Sequence, residues 1–143
     1  MRFILAGAKI NNFFPPHHPG KEAKVMIVHL TVSLKKKLLT LYKNNQKIKS
    51  WPVAVGAPST PTPTGIYRIK NKISNPGGSP YGVLGSRWMG LTIPGGNYGI
   101  HGTNNPASIG REVSRGCIRM LNKDIEELFP QVPLWSRVII TKD

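Results

Sequence analysis

His101-Gly102-Thr103-Asn104, a short connector, and then Ser114-Arg115-Gly116-Cys117-Ile118-Arg119-Met120 form the stretch from which the rest of the chain is read. Cys117 is the one cysteine among 143 residues and stands 16 positions after His101 (117 − 101). A lone cysteine makes no internal disulfide, so its thiol is a buried filler, an intermolecular link or a reactive group. Only the thiolate attacks, and an ordinary cysteine with a pKa of about 8.5 is mostly protonated at neutral pH. A basic or cationic neighbour is therefore required. His101 offers the base, and Arg115 and Arg119 bracket the sulfur with positive charge. Gly116 permits a tight turn that leaves backbone N–H groups aimed at an oxyanion, and Gly102 permits close approach beside the imidazole. Nucleophile, base and electrostatic hole are the parts of acyl transfer.

Working outward, Tyr98-Gly99-Ile100-His101 reads as a strand that delivers the histidine at its end. Residues 74–99 before it are glycine-rich, the composition of long binding loops, with Leu91-Thr92-Ile93 as a short strand between two of them. Trp88, Met89 and Tyr98 are candidates either for walls of a substrate groove or for core packing. Farther upstream, Val25 to Val32, Lys37 to Lys43 and Gln46 to Val55 read as successive strands, the last two joined by Asn44-Asn45, since asparagine tolerates positive φ. Three prolines between Ala57 and Gly65 make a stiff extended loop, and Ile66 to Lys70 alternates with a strand's period of two. Downstream, Asn122 to Phe129 is the one clear helix, with Asn122 as its cap, Asp124, Glu126 and Glu127 near its positive end and Pro130 as its stop. Arg137 to Ile140 closes the chain as a strand. His29, inside the first strand, reads as a packed or edge residue.

The expected architecture is mainly β with one short helix, in one domain over residues 25–143. Residues 1–24 read as an N-terminal arm, because Phe13-Phe14-Pro15-Pro16-His17-His18-Pro19-Gly20 can hold no regular element. His17 and His18 have no matching pair at ligand spacing, so no metal site and no cofactor is expected. The opening apolar run is too short for a secretory signal core and is ended by Lys9 and Asn11. No run approaches the roughly 18–20 apolar residues of a membrane-spanning helix.

The charge is lopsided, with 20 Lys+Arg against 6 Asp+Glu for a net +14. Such a field attracts polyanions: nucleic acid, anionic lipid or an acidic bacterial wall. The excess is scattered, with Lys35-Lys36-Lys37 as its densest run, which suits a surface-wide field better than a groove reader of nucleic acid.

The paired motif His101-Gly102-Thr103-Asn104 and Ser114-Arg115-Gly116-Cys117-Ile118-Arg119-Met120 resembles the signature of the L,D-transpeptidase (YkuD-type) catalytic domain, and Val53-Ala54-Val55-Gly56 with Thr62-Pro63-Thr64-Gly65 resembles a second recurring stretch of that family. The resemblance spans about residues 25–142. It implies a β-sandwich of mixed sheets with a short helix. It further implies attack by Cys117 on the bond between the L-centred diamino acid and D-Ala of a peptidoglycan stem, with His101 as base and then acid. By the same resemblance the Gly102 carbonyl orients the imidazole, and the Gly116 and Cys117 N–H groups hold the oxyanion. Ser114, Arg115 and Arg119 match positions that shape the pocket. Arg115 departs from the pattern, since many members carry a second histidine there. An acceptor amine gives a 3→3 cross-link, and water gives carboxypeptidase action. The partners implied are stem peptides and anionic wall polymers, and the place of action is an extracytoplasmic wall or spore envelope.

Three other readings explain less. A sortase also runs His, Cys, Arg in chain order, but with a far longer His-to-Cys separation. Papain-like wall hydrolases place Cys before His. A basic nucleic-acid-binding β domain accounts for the charge and leaves the His/Gly/Cys arrangement as coincidence.

Overall fold

The computed structural model describes residues 25–143, so the expected arm over 1–24, with His17 and His18, lies outside the described residues. Ten strands and one α-helix follow in chain order: β1 (Val28–Ser33), β2 (Leu38–Lys43), β3 (Gln46–Pro52), β4 (Val55–Gly56), β5 (Gly65–Ser74), β6 (Arg87–Leu91), β7 (Gly99–His101), β8 (Glu112–Ser114), β9 (Ile118–Arg119), α1 (Asn122–Leu128) and β10 (Arg137–Thr141). Eight strands form one mixed sheet in the order β3-β2-β1-β10-β5-β6-β7-β9, and β4 with β8 forms a small parallel pair.

Alternation builds β1 and β10 in the first half. Val28, Leu30 and Val32 point inward from β1, and Val138 and Ile140 do so from β10, which runs parallel to β1. Asn44 and Asn45 turn β2 into β3 with φ of 52° and 65°, the left-handed pair a tight hairpin demands. The outer strand β3 exposes Gln46, Lys47 and Lys49, which discourages pairing with another chain.

β5 joins the two halves. Its 10 residues pair with β10 over Gly65 to Arg68 and with β6 from Ile69 to Ser74, and a register shift between Ile69 and Asn71 bends it. The sheet curls there, so Leu30, Leu41 and Ile140 of one half share a core with Met89, Leu91, Ile100 and Ile118 of the other. Ile125 and Leu128 of α1 join the same cluster. The mainly-β fold with one short helix, expected above, is thus present, its two layers made by one curled sheet.

The structure differs from the strand pattern in several places. The third strand, expected to run to Val55, ends at Pro52, and Val55 lies in β4, paired with β8. β1 starts at Val28, and Val25, Met26 and Ile27 are exposed. β5 runs four residues past Lys70, to Ser74. Trp88 and Met89 lie within β6 rather than in a loop, and the strand expected at Leu91 to Ile93 overlaps it only at Leu91. Gly90 disguised that strand; it is needed there because the side-chain oxygen of Asn71 occupies the space a Cβ would take. Asn122 does not cap α1: the cap position is Leu121, no side chain caps the helix, and the Asn122 amide is used elsewhere. Beyond the other end of α1, Lys72 Nζ donates to the carbonyls of Phe129 and Val132 at 2.7 and 2.8 Å.

Candidate active site

Strand pairing brings the distant members of the motif together. β7 and β9 are parallel, with Ile100 opposite Ile118 and His101 opposite Arg119. One step back along both strands, Cys117 comes beside Gly99. Gly99 and His101 are two residues apart and share a face, so sulfur and imidazole lie on the same side of the sheet. On the other flank β6 sets Trp88 opposite His101. The two rings stack with centroids 5.8 Å apart and planes 19° apart. A Cβ on Gly99 would come within 2.6 Å of the Trp88 ring, so the indole takes the room a side chain there would need. Trp88 Nε1 donates to Asn71 Oδ1 at 3.1 Å, which fixes the ring over the site.

The imidazole has one orientation. His101 is 4% exposed, and its Nδ1 lies 2.5 Å from the Gly102 carbonyl oxygen. A carbonyl only accepts, so Nδ1 carries the proton and Nε2 presents its lone pair. Burial holds the His101 pKa below its ordinary value; the Gly102 hydrogen bond opposes this and the Arg119 charge reinforces it. Cys117 is shifted the other way. Burial pushes its thiol up, against the Gly99 backbone hydrogen bond and Arg119, which both lower it. Its Sγ donates weakly to the Asn97 carbonyl at 3.6 Å. Both shifts favour the uncharged forms, thiol and neutral imidazole.

The proline-bearing loop is a brace for the cysteine turn. Thr62 Oγ1 accepts from the Gly56 N–H at 3.0 Å and donates to the Gly116 carbonyl at 2.8 Å, and Thr60 Oγ1 donates to the Ser114 carbonyl at 2.8 Å. Ser114 Oγ donates to the Cys117 carbonyl at 2.6 Å and accepts from the Gly116 N–H at 3.0 Å. Gly116 has φ of +124°, a conformation L side chains rarely adopt, and a Cβ there would approach the Tyr98 ring to 2.6 Å. Every carbonyl from Ser114 to Cys117 except that of Arg115 is thereby held from the side.

Beside Cys117 opens a cavity of about 420 Å³, lined also by Lys70, Asn71, Ile73, Pro76, Leu84, Trp88 and Asn97. Trp88 lines this cavity. Met89 takes the other role weighed for it, core packing: it is fully buried, because the alternation of β6 turns it inward when Trp88 faces out. Tyr98 is half-buried and packs over Gly116, shaping the turn rather than the cavity wall. Arg115 is exposed, and the charge that bears on both His101 and Cys117 is that of Arg119. The Gly116 N–H, expected to be free for an oxyanion, is engaged by Ser114 in this resting form. Lys70, Asn71 and Asn97 carried no sequence signal beyond their polarity. Thr62 did, in a stiff loop too well made for a connector. Among the described residues no cluster of three or more His, Cys, Asp or Glu fits a metal, and no helix is long and apolar enough to cross a membrane.

Residues 27–140 match the family model for the L,D-transpeptidase catalytic domain, YkuD. This chain belongs to that family. It is 52% identical over 114 residues to L,D-transpeptidase YkuD of Bacillus subtilis, a match covering 80% of this chain and 66% of that one. Among solved structures, a cysteine-to-serine form of the Enterococcus faecium L,D-transpeptidase superposes with a TM-score of 0.67 at 25% identity, covering 80% of this chain and 50% of that one. L,D-transpeptidase 3 of Mycobacterium tuberculosis with a faropenem-derived adduct superposes at 0.67 and 18% identity, covering 81% and 60%. The chain thus spans roughly half to two thirds of the length of these L,D-transpeptidases.

Proposed function

We propose that this L,D-transpeptidase domain cuts and rejoins peptidoglycan stem peptides through Cys117. The observation that carries the reading is the fixed tautomer of His101, whose free Nε2 shares a sheet face with the sulfur. The Cys117 proton passes to Nε2 as Sγ bonds to the carbonyl carbon of the L-centred diamino acid. The Cys117 N–H receives the oxyanion, joined by the Gly116 N–H once that amide leaves Ser114. As the intermediate collapses, the C–N bond to D-Ala breaks and His101 hands its proton to the departing amine. An acceptor amine then attacks the thioester and gives a 3→3 cross-link. Water in its place gives L,D-carboxypeptidase action from the same intermediate.

Lys70, the one charged side chain lining the cavity, offers a partner for a stem carboxylate. The net +14 suits a wall bearing carboxylates and phosphate polymers, and this substrate sets the place of action outside the cytoplasm.

Incubation with a carbapenem followed by intact-mass measurement tests the reading. One covalent adduct is expected, absent in Cys117→Ala. In His101→Ala the acylation rate falls by about 100-fold or more while the fold persists. A folded protein that takes no adduct refutes the thiol mechanism, and an unchanged rate in His101→Ala removes the histidine from its role.

A further inference from the structure

The carboxamide of Asn122 sits behind the histidine and is spent on backbone alone. Its Oδ1 accepts from the Thr103 N–H at 3.1 Å and from the Ser86 N–H at 3.1 Å, and its Nδ2 donates to the Pro80 carbonyl at 3.3 Å. The Thr103 N–H belongs to the same peptide group whose carbonyl, that of Gly102, accepts from His101 Nδ1. Two glycines make room for this oxygen. A Cβ on Gly85 or on Gly102 would collide with Asn122 Oδ1, and Gly85 is further committed by φ of +66°.

We propose that Asn122 is a positioning residue for the base, acting through the Gly102–Thr103 peptide plane as a relay: Asn122 Oδ1, the Thr103 N–H, the Gly102 carbonyl and then His101 Nδ1. A peptide group held at both ends cannot rotate, so the carbonyl that sets the imidazole is itself set. Withdrawing the N–H toward an acceptor also polarises the C=O, since hydrogen bonds in a chain strengthen one another. The triad-like third member is thus a backbone carbonyl with its own side-chain anchor, placed by the first residue of α1. The ring otherwise faces Trp88 of β6, which carries no charge, with Arg119 of β9 and Cys117 just before it as the ionisable neighbours.

The proposal rests on His101 being the base, so two readouts are taken on the full chain. One is the pH profile of carbapenem acylation. The other is the His101 imidazole titration by NMR, assigned by its loss in His101→Ala. Asn122→Ala is expected to lower acylation of the folded protein by about 10- to 100-fold, the cost of a misplaced group. Asn122→Asp keeps the acceptor oxygen and adds negative charge at the far end of the relay. It is expected to restore much of the rate and to move both the His101 titration and the acid limb of the profile to higher pH. If Asn122→Ala does not fold, Asn122→Asp alone decides. A merely structural asparagine would cost melting temperature and leave both titrations where they are, and that result overturns the proposal. Should the NMR titration move while the acid limb stays, the relay stands and the role of His101 as base falls.

Discussion

The two halves of the curled sheet are built on opposite principles. In β3-β2-β1-β10 the two inner strands β1 and β10 alternate, the β2–β3 turn is made by two asparagines, and the inward side chains are mainly aliphatic. In β5-β6-β7-β9 the strands are short or bent, and glycines at 90 and 99 give up their side-chain space to Asn71 and Trp88. Hydroxyls and carboxamides hold backbone groups one at a time there. The first half is held by area removed from water, which is non-directional and forgiving. The second is held by directional bonds, which fix a few atoms closely and cost more when one partner is lost. The proposed chemistry sits on the second half, where a nucleophile and base would have the fixed positions they need more than bulk burial.

Leu30→Ala, in the first half, breaks the comparison most severely if it is wrong. Leu30 is fully buried, so truncation is expected to cost about 2–5 kcal/mol in urea unfolding, with the acylation rate of the folded fraction unchanged. A parallel loss of intrinsic rate would show that the halves are not separable. Thr62→Val, at the brace, keeps the shape and leaves the Gly56 N–H and Gly116 carbonyl without their partner. About 1–3 kcal/mol of stability is expected to go, together with a measurable fall in acylation, because the turn bearing Cys117 is loosened. Stability lost with the rate intact would make the brace purely structural.

The smallest effect concerns pH. His101 titrates below its ordinary 6.5 in the folded state, chiefly through burial, so its charging opposes folding. Its contribution is fully present above 6.5 and is lost as pH falls toward the folded-state value. His29 is depressed as well, by burial first and Arg137 second, so two residues share this slope. Thermal melts between pH 7.5 and about 4.5 are therefore expected to show a shallower acid decline in His101→Ala than in the parent, with a residual slope from His29. Superimposed declines would mean the histidine is not held neutral. By the same shift the acid limb of acylation is expected to lie below 6.5.

Much of the first half was legible in the chain. Alternation along Val28 to Val32 and Arg137 to Ile140 gives strands, and Asn44-Asn45 gives a hairpin, because side-chain period and φ preference are local properties. Local signals misled where residues serve distant partners. Asn122 looks like a helix cap because asparagine commonly is one; here its oxygen is taken by Thr103 and Ser86, nearly 20 and 36 positions away. Met89 and Trp88 could each be groove wall or core from local sequence, because the glycines around β6 concealed the strand whose alternation parts the two.

For the opening motif the division is the same. Residue types alone put a histidine near a glycine, and a lone cysteine after another, and so offered a candidate nucleophile and base; the glycine carbonyl beside the ring came only from the family resemblance. The parallel pairing of β7 and β9 decided that sulfur and imidazole share a face. Burial pushes both toward their uncharged forms, and a proline-bearing loop more than 50 residues upstream decided how the cysteine turn is held. Chemistry is written in which atoms a residue carries and can be read singly. Geometry and protonation depend on which groups the fold brings within a few ångströms, and no local stretch of chain contains that information.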